Sequence, residues 1–372
     1  MAKIQKRYLE KTIIDDLEKK MVFLGGPRQV GKTTLSKSLT SEYTYLNWDE
    51  PTHREQILKN QLPVSKLIIL DELHKYKLWR NWLKGKFDTL RDQHQFLITG
   101  SARLDLYKYS GDSLQGRYFY HRLLPLSVAE LNIKTSHDFK SLLALSGFPE
   151  PFFSGSEKEY RRWAKDYRQR LFRDDIQSIE RIEDIGSMEN LSLRLPDLVG
   201  SPLSINSLRE NLQISFKKAS RYLDILERNY SFFRISPFGS PKIRAVKKEN
   251  KHYHYDWALC PDEPQKVENL VACHLLKWVY YKEDSEGLNI ELRYFRDSDG
   301  REVDFVIVEN KKPTFLIEVK SSHRDISPHL KYLKRKFPSA KAYQLHLDEK
   351  THFINEDGIT SIPAWKFLAD LI

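Results

Sequence analysis

The stretch Gly26-Pro27-Arg28-Gln29-Val30-Gly31-Lys32-Thr33, followed by Thr34, constrains this 372-residue chain more than any other feature. An apolar run, Met21-Val-Phe-Leu24, leads into it and a helix-forming run, LSKSLTSE, leads out, so it reads as strand, loop and helix. Glycines in such a loop let backbone N–H groups turn inward around a phosphate chain. A lysine there sets its charge on the β- and γ-phosphates, and a threonine hydroxyl is a Mg²⁺ ligand. The expectation is ATP with Mg²⁺, held by Gly26, Pro27, Arg28, Gln29, Val30, Gly31, Lys32, Thr33 and Thr34, with Thr33 on the metal. With glycine at ~7% of average usage, chance produces this pattern in roughly one chain in a hundred of this length.

A second constraint comes from Leu67-Ile-Ile-Leu70-Asp71-Glu72, a buried-type strand ending in two carboxylates and spaced as a third strand of a parallel sheet. On that reading Asp71 holds the Mg²⁺ and Glu72 polarises the attacking water; the same letters also suit a strand followed by an acidic helix cap. Tyr43 to Asp49 and His94 to Gly100 read as further strands of a β/α repeat. Ser101, at the end of the latter, is a sensor candidate for the γ-phosphate, or else part of an ordinary Gly-Ser turn. Charge spreading over the γ-phosphoryl oxygens calls for an arginine in cis or from a partner. Arg117 is the first candidate and Arg103 the second; either also suits a surface position.

The segments GGPRQVGKTTL, LIILDELHK, FLITGSARLDL and GRYFYHRLLPLSVAEL resemble the AAA-type ATPase domain of a bacterial and archaeal family with a poorly characterised C-terminal domain, and the resemblance extends along the whole chain. It implies an α/β fold with a P-loop NTPase parallel sheet that binds and hydrolyses ATP. Through the GS and GR elements it adds weight to Ser101 and Arg117, beside Lys32 and Glu72, as catalytic residues. It supplies no substrate.

Residues 157 to 184 are strongly charged, with Tyr160, Trp163, Tyr167 and Leu171 at helical spacing, which predicts a long amphipathic connecting helix whose aromatic stripe is a packing face. Ser204 to Leu212, Phe216 to Arg228 and Ser231 to Ser236 then read as helix, helix and extended wing. In a winged helix-turn-helix, Lys217, Lys218 and Arg221 would contact phosphates. The same arrangement also suits a purely structural bridge.

From Lys266 the pattern is a helix, three strands (ELRYFR, EVDFVIV, TFLIEVK), a helix and a fourth strand, AKAYQLHL. This αβββαβ order resembles the restriction-endonuclease-like core of PD-(D/E)xK nucleases. In that chemistry carboxylates on neighbouring strands bind metal ions while a lysine activates water beside the scissile phosphate. The resemblance implies Asp304, Glu318 and Lys320 as catalytic residues, with Glu268, Asp304 and Glu318 as metal ligands; a mutually satisfied structural ion cluster is the alternative. His323, His329 and His346 are expected at the surface.

A net charge of +10 favours polyanionic partners, DNA foremost, and nine Lys or Arg residues from Lys311 to Lys341 face only Glu318 and Asp325 in sequence. No apolar run reaches the ~18 residues of a membrane span. The two cysteines, Cys260 and Cys273, make neither a disulfide framework nor a zinc site, so a cytoplasmic setting is expected. The division that follows is 1–155 for the ATPase, 156–260 for the helical and winged-helix-like part and 261–372 for the nuclease-like part. A homo-oligomer is compatible with this layout. The expected function is ATP hydrolysis coupled to a nuclease-like domain acting on nucleic acid. The alternative is a regulatory ATPase whose C-terminal domain binds protein or DNA without cutting.

Overall fold

The computed structural model describes residues 5–100, 114–177, 182, 184–239, 250–322, 325–349 and 351–372. The chain forms two compact units, Met1–Pro125 with Arg228–Tyr230, and Leu126–Glu227 with Ser231–Ile372.

In the first unit α1 (Glu10–Leu17) precedes β1 (Met21–Gly25), and α2 (Lys32–Ser38) follows the glycine loop. Then come β2 (Tyr43–Asn47), α3 (Pro51–Leu58), β3 (Leu67–Asp71), α4 (Trp79–Leu90), β4 (Gln95–Thr99) and β5 (Tyr118–Arg122). The five strands lie in the order β2-β3-β4-β1-β5, all parallel. The central strands β1 and β3 are buried at every position, as expected of a parallel sheet covered by helices on both faces. Phe23, Ile68, Leu70, Trp79, Leu83, Phe96 and Ile98 share one core. Parallel pairing puts every strand's C-terminal end on one edge, so the loop after β1 and the carboxylates after β3 meet there. This is a P-loop NTPase-like α/β sheet.

The second unit opens with α5 (Ser136–Leu145), α6 (Pro149–Ser154) and α7 (Glu157–Arg170), the last continuing as a wider π turn through Leu171–Ile176. Tyr160 and Trp163 are buried on α7 and Trp163 packs on Phe148, so the stripe is a packing face. Then follow α8 (Ile185–Arg194), α9 (Ile205–Leu212), α10 (Phe216–Arg228) and an antiparallel pair, β6 (Phe232–Ile235) with β7 (Lys251–His254). Ser204 caps α9, and Gln213 turns the chain toward α10 at φ 53°. Leu208, Tyr222, Leu223, Leu226 and Phe232 form the core of this stretch.

The chain ends with α11 (Glu263–Glu286), β8 (Ile290–Arg296), β9 (Glu302–Glu309), β10 (Lys312–Val319), α12 (Pro328–Lys336), β11 (Lys341–His346), β12 (Phe353–Ile354), β13 (Ile359–Pro363) and α13 (Ala364–Ala369). The mixed sheet has the order β12-β13-β11-β10-β9-β8, antiparallel from β8 to β10 and parallel from β10 to β13. The αβββαβ order is present; β12, β13 and α13 extend it beyond what the sequence pattern suggested. A buried ion pair joins Lys277 of α11 to Glu130. His346 is fully buried on β11, an interior strand between β10 and β13. That corrects its expected surface position. His329 is half-buried and His323 lies outside the described residues.

Candidate functional site

Two clusters of charged side chains lie at strand ends, one in each unit. In the first, the loop leaves β1 through Gly26, whose φ is +136°. A Cβ there would lie 2.1 Å from the Leu123 carbonyl oxygen, so only glycine lets the backbone turn this close to the chain beyond β5. Gly31 caps α2 in the left-handed region, which directs the first N–H groups of that helix toward the loop. Lys32 is buried and its Nζ donates to the carbonyls of Gly26 and Pro27 at 2.8 and 2.7 Å. The loop therefore carries an ammonium across its own mouth. These bonds are to neutral carbonyls, which a phosphate oxygen can replace as a stronger, charged acceptor.

Across the sheet edge, the Thr33 hydroxyl donates to Asp71 Oδ2 at 3.0 Å. Two further hydroxyls donate to the same carboxylate: Tyr45 to Oδ2 at 2.7 Å and Thr99 to Oδ1 at 2.5 Å. Neither Tyr45 nor Thr99 was expected. Thr99 stands directly opposite Asp71 in the β3–β4 register, which makes it the polar residue ending β4 among the described residues. Ser101 and Arg103 lie outside them. Burial, then the Asp71 carboxylate, push the Tyr45 phenol well above its ordinary range, so it remains a donor. Lys37 Nζ sits 3.7 Å from the centre of the Tyr45 ring and holds it from the α2 side.

Glu72 follows Asp71 at φ 55°, a left-handed conformation uncommon outside glycine. Its N–H donates to the Thr99 carbonyl at 3.0 Å, and its Oε2 lies 3.5 Å from both His74 Nε2 and Lys75 Nζ. The turn thus separates the two adjacent carboxylates, sending one to the Thr33 hydroxyl and the other to a basic pair. Arg7 was also missed by sequence reasoning. Its buried guanidinium donates to the Val30 carbonyl inside the loop at 2.7 Å and to the Leu124 carbonyl at 2.5 Å.

Arg117 does not reach this edge. It precedes β5, where Tyr118 pairs with Met21 and Arg122 with Gly25, so the full strand, at ~3.3 Å per residue, separates it from the loop. There it makes a two-point ion pair with Asp88, Nε at 2.8 Å and Nη2 at 3.1 Å. Action in cis on this chain's own phosphates is excluded by that span.

The second cluster joins α11, β9 and β10. Glu268, Asp304 and Glu318 are brought together, with Lys320 Nζ on Glu318 Oε1 at 2.6 Å and Asp304 Oδ2 accepting from the Val319 N–H at 2.9 Å. A residue absent from the sequence expectation is central to it. Lys251 of β7 is 1% exposed, and its Nζ lies 2.6 Å from Glu302, 3.6 Å from Glu268 and 3.8 Å from Asp304. Burial alone would depress the Lys251 ammonium; the charges of Glu268, Asp304 and Glu302 outweigh it and raise it instead. Burial, then the Asp304 charge, push the Glu268 carboxyl up to about 7 and the Glu318 carboxyl up to about 8. Glu318 Oε2 is buried and has no hydrogen-bond partner among the described residues. Among those residues no group of three His, Cys, Asp or Glu side chains is disposed to hold a metal ion.

Residues 18–132 match a family model described as an AAA domain, so the chain carries an AAA-type P-loop ATPase domain. Residues 136–262 and 265–367 match two further models, each described as a domain of unknown function (DUF8612 and DUF4143). The uncharacterized proteins Rv2008c of Mycobacterium tuberculosis and Mb2031c of Mycobacterium bovis are each 25% identical over 244 residues, 64% of this chain and 55% of theirs. The chain spans about half the length of the curated relatives it matches. Among solved structures, the RuvB Holliday junction branch migration motor of Thermotoga maritima is similar at 18% identity, over 61% of this chain and 88% of that one, with a TM-score of 0.29. No helix among the described residues is long and apolar enough to cross a membrane.

Proposed function

We propose that this chain hydrolyses ATP with Mg²⁺ and couples the hydrolysis to action on nucleic acid, DNA in particular. The observation that carries the ATPase part is the meeting of Lys32, Thr33 and Asp71 at one sheet edge, with the Thr33 hydroxyl 3.0 Å from the Asp71 carboxylate. Oxygen donors of this kind suit Mg²⁺, and Thr33 and Asp71 would hold it. Bound there, Mg²⁺ supplies neutralisation of charge on the β- and γ-phosphate oxygens. Lys32 would exchange the Gly26 and Pro27 carbonyls for phosphate oxygens, and Glu72 would accept the proton of the attacking water. Lys32→Ala should lose ATP binding, whereas Glu72→Gln should bind ATP and hydrolyse it ~10²–10⁴-fold more slowly. Equal loss of binding in both variants would contradict this division of roles.

The arginine then comes from a second copy, with Arg117 acting in trans within a homo-oligomer. Mixing Lys32→Ala with Arg117→Ala should restore part of the activity that each lacks alone; no recovery would remove Arg117 from the reaction. The preference for DNA rests on the net charge of +10 and on α10. Lys217, Lys218 and Arg221 lie on that helix, and Lys218 there pairs with Asp184 at 2.9 Å. Binding should weaken steeply with salt.

In this reading residues 1–155, 156–260 and 261–372 serve as ATPase, winged-helix-like bridge and nuclease-like domain. Asp304, Glu318 and Lys320 would be the cutting residues, with Glu268 as a further metal ligand. A second reading, a regulatory ATPase whose C-terminal domain does not cut, is favoured by the contacts of Lys251 with three carboxylates. Metal-dependent cleavage of labelled DNA that disappears in Glu318→Ala would decide for the nuclease. ATPase activity without cleavage would decide for the regulator.

A further inference from the structure

Lys251 does not belong to the sheet whose carboxylates it meets. It lies on β7, which pairs with β6 in a separate two-stranded ladder, while Glu302 and Asp304 lie on β9 and Glu318 on β10. The same strand makes a second contact. Two residues along, on the same face, the Tyr253 hydroxyl donates to Glu268 Oε1 at 2.8 Å. The chain beside β7 closes in as well, since Pro202 bridges Lys251 and the Leu203 N–H donates to the Asn250 carbonyl at 2.8 Å. At Gly200 an added Cβ would stand 2.9 Å from a Glu268 carboxylate oxygen. Glu268 is thus enclosed by Gly200, Lys251 and Tyr253, all from the stretch that precedes α11.

We propose that Lys251 is a built-in counter-cation, an ammonium that β7 seats where Glu268 and Asp304 would otherwise hold a divalent metal ion. This rests on reading Glu268, Asp304 and Glu318 as metal ligands. A hard divalent ion needs its carboxylate oxygens at about 2.0–2.6 Å. An ammonium 2.6–3.8 Å from oxygens of Glu302, Glu268 and Asp304 already fills the space between them. The two cations repel, and one volume cannot hold both. Metal affinity in the C-terminal sheet is therefore set by a strand outside that sheet.

The test is Mn²⁺ binding to the nucleotide-free full-length protein, followed by titration calorimetry, for the wild type, Lys251→Met and Lys251→Met combined with Asp304→Asn. Lys251→Met keeps the length of the side chain and removes its charge. It should gain one Mn²⁺ site about 10- to 100-fold tighter than any in the wild type, and the added Asp304→Asn should abolish it. If the wild type already binds Mn²⁺ as tightly at a site that Asp304→Asn alone removes, the metal-site reading survives and the counter-cation is refuted. If no variant shows an Asp304-dependent site, the metal-site reading fails and the counter-cation falls with it. Should Lys251→Met fail to fold, Lys251→Met/Glu302→Gln removes one charge of each sign. Mn²⁺ should raise its melting temperature and leave that of the wild type unchanged; equal shifts in both would refute the proposal.

Discussion

The two charged clusters use the same residue types and put them to opposite ends. In the first unit, Asp71 is surrounded by three hydroxyls, from Thr33, Tyr45 and Thr99, and Lys32 rests on two backbone carbonyls. No lysine is paired with that carboxylate among the contacts described. In the second unit Lys251 and Lys320 are placed directly on carboxylates, and the ammonium of Lys251 is almost wholly buried. Neutral donors hold a carboxylate in place while leaving its charge available to a cation. An ion pair spends that charge internally. The first arrangement is open to exchange, the second is closed, and the difference comes from which strand supplies the neighbouring group.

The largest expected effect lies in the closed cluster. Removing one partner of a buried ion pair typically costs ~3–5 kcal/mol, because the charges left behind have neither water nor a counter-ion. Lys251→Met in the absence of metal should therefore lower the unfolding free energy of the second unit by about that amount, measured by urea denaturation. A loss within the range of a surface substitution would show that the cluster is not closed by Lys251. In the open cluster the corresponding change is smaller. Thr99→Val removes one neutral hydroxyl from Asp71 and should cost ~0.5–1.5 kcal/mol, read as a several-fold rise in the Mg²⁺ concentration that half-saturates ATP hydrolysis. Tyr45→Phe should act alike; if both leave that concentration unchanged, the hydroxyls do not hold Asp71 for the metal.

A pH series sharpens the contrast further. The Glu268 and Glu318 carboxyls are pushed up, by burial first, from 4.5 to about 7 and about 8. The folded unit therefore retains protons that the unfolded chain has released. The stability this contributes is complete below about pH 4.5 and is lost as pH rises through 7 to 8. The melting temperature of the second unit should fall over that interval, and Glu318→Gln should flatten the fall. A melting temperature that rises from pH 5 to 8 would contradict it. The smallest effect is expected at Arg117, whose ion pair with Asp88 is partly exposed. Asp88→Asn should change stability no more than an ordinary surface substitution does, checked by the same denaturation.

How much of this could be read from the sequence follows from how local each feature is. Phosphate binding by a loop needs consecutive residues, so Gly26 to Thr34 announce themselves, and a buried strand ending in Asp71 and Glu72 is nearly as local. The three strands of the C-terminal sheet were readable from alternation and turns. Thr99 and Tyr45 were not, because their importance comes from strand register: Thr99 lies opposite Asp71 only once β3 and β4 pair, and Tyr45 lies two pairs before Asp71 on β2. Thr99 ends a run of apolar letters and was passed over for Ser101, two residues later. Arg117 shows the limit of local reading from the other side. Its neighbour glycine and its place after β4 suggested the phosphates, yet parallel pairing puts the start of β5 at the far edge. Lys251 stands in KKENKHYHYD, a stretch that reads as a polar surface. Only the pairing of β7 with β6 and the approach of β9 turn that lysine inward.

The hold of Arg7 on Val30 and Leu124 gives the nucleotide loop a tether from far outside its own motif. The AAA match begins at residue 18, eleven positions after that arginine. A fragment cut at the boundary of the match would carry every residue of the loop and still lack the guanidinium that clasps it from behind. Modularity in this chain is therefore unequal: the recognisable motif is portable as a string of letters, whereas the shape that lets it work is borrowed from the segment upstream.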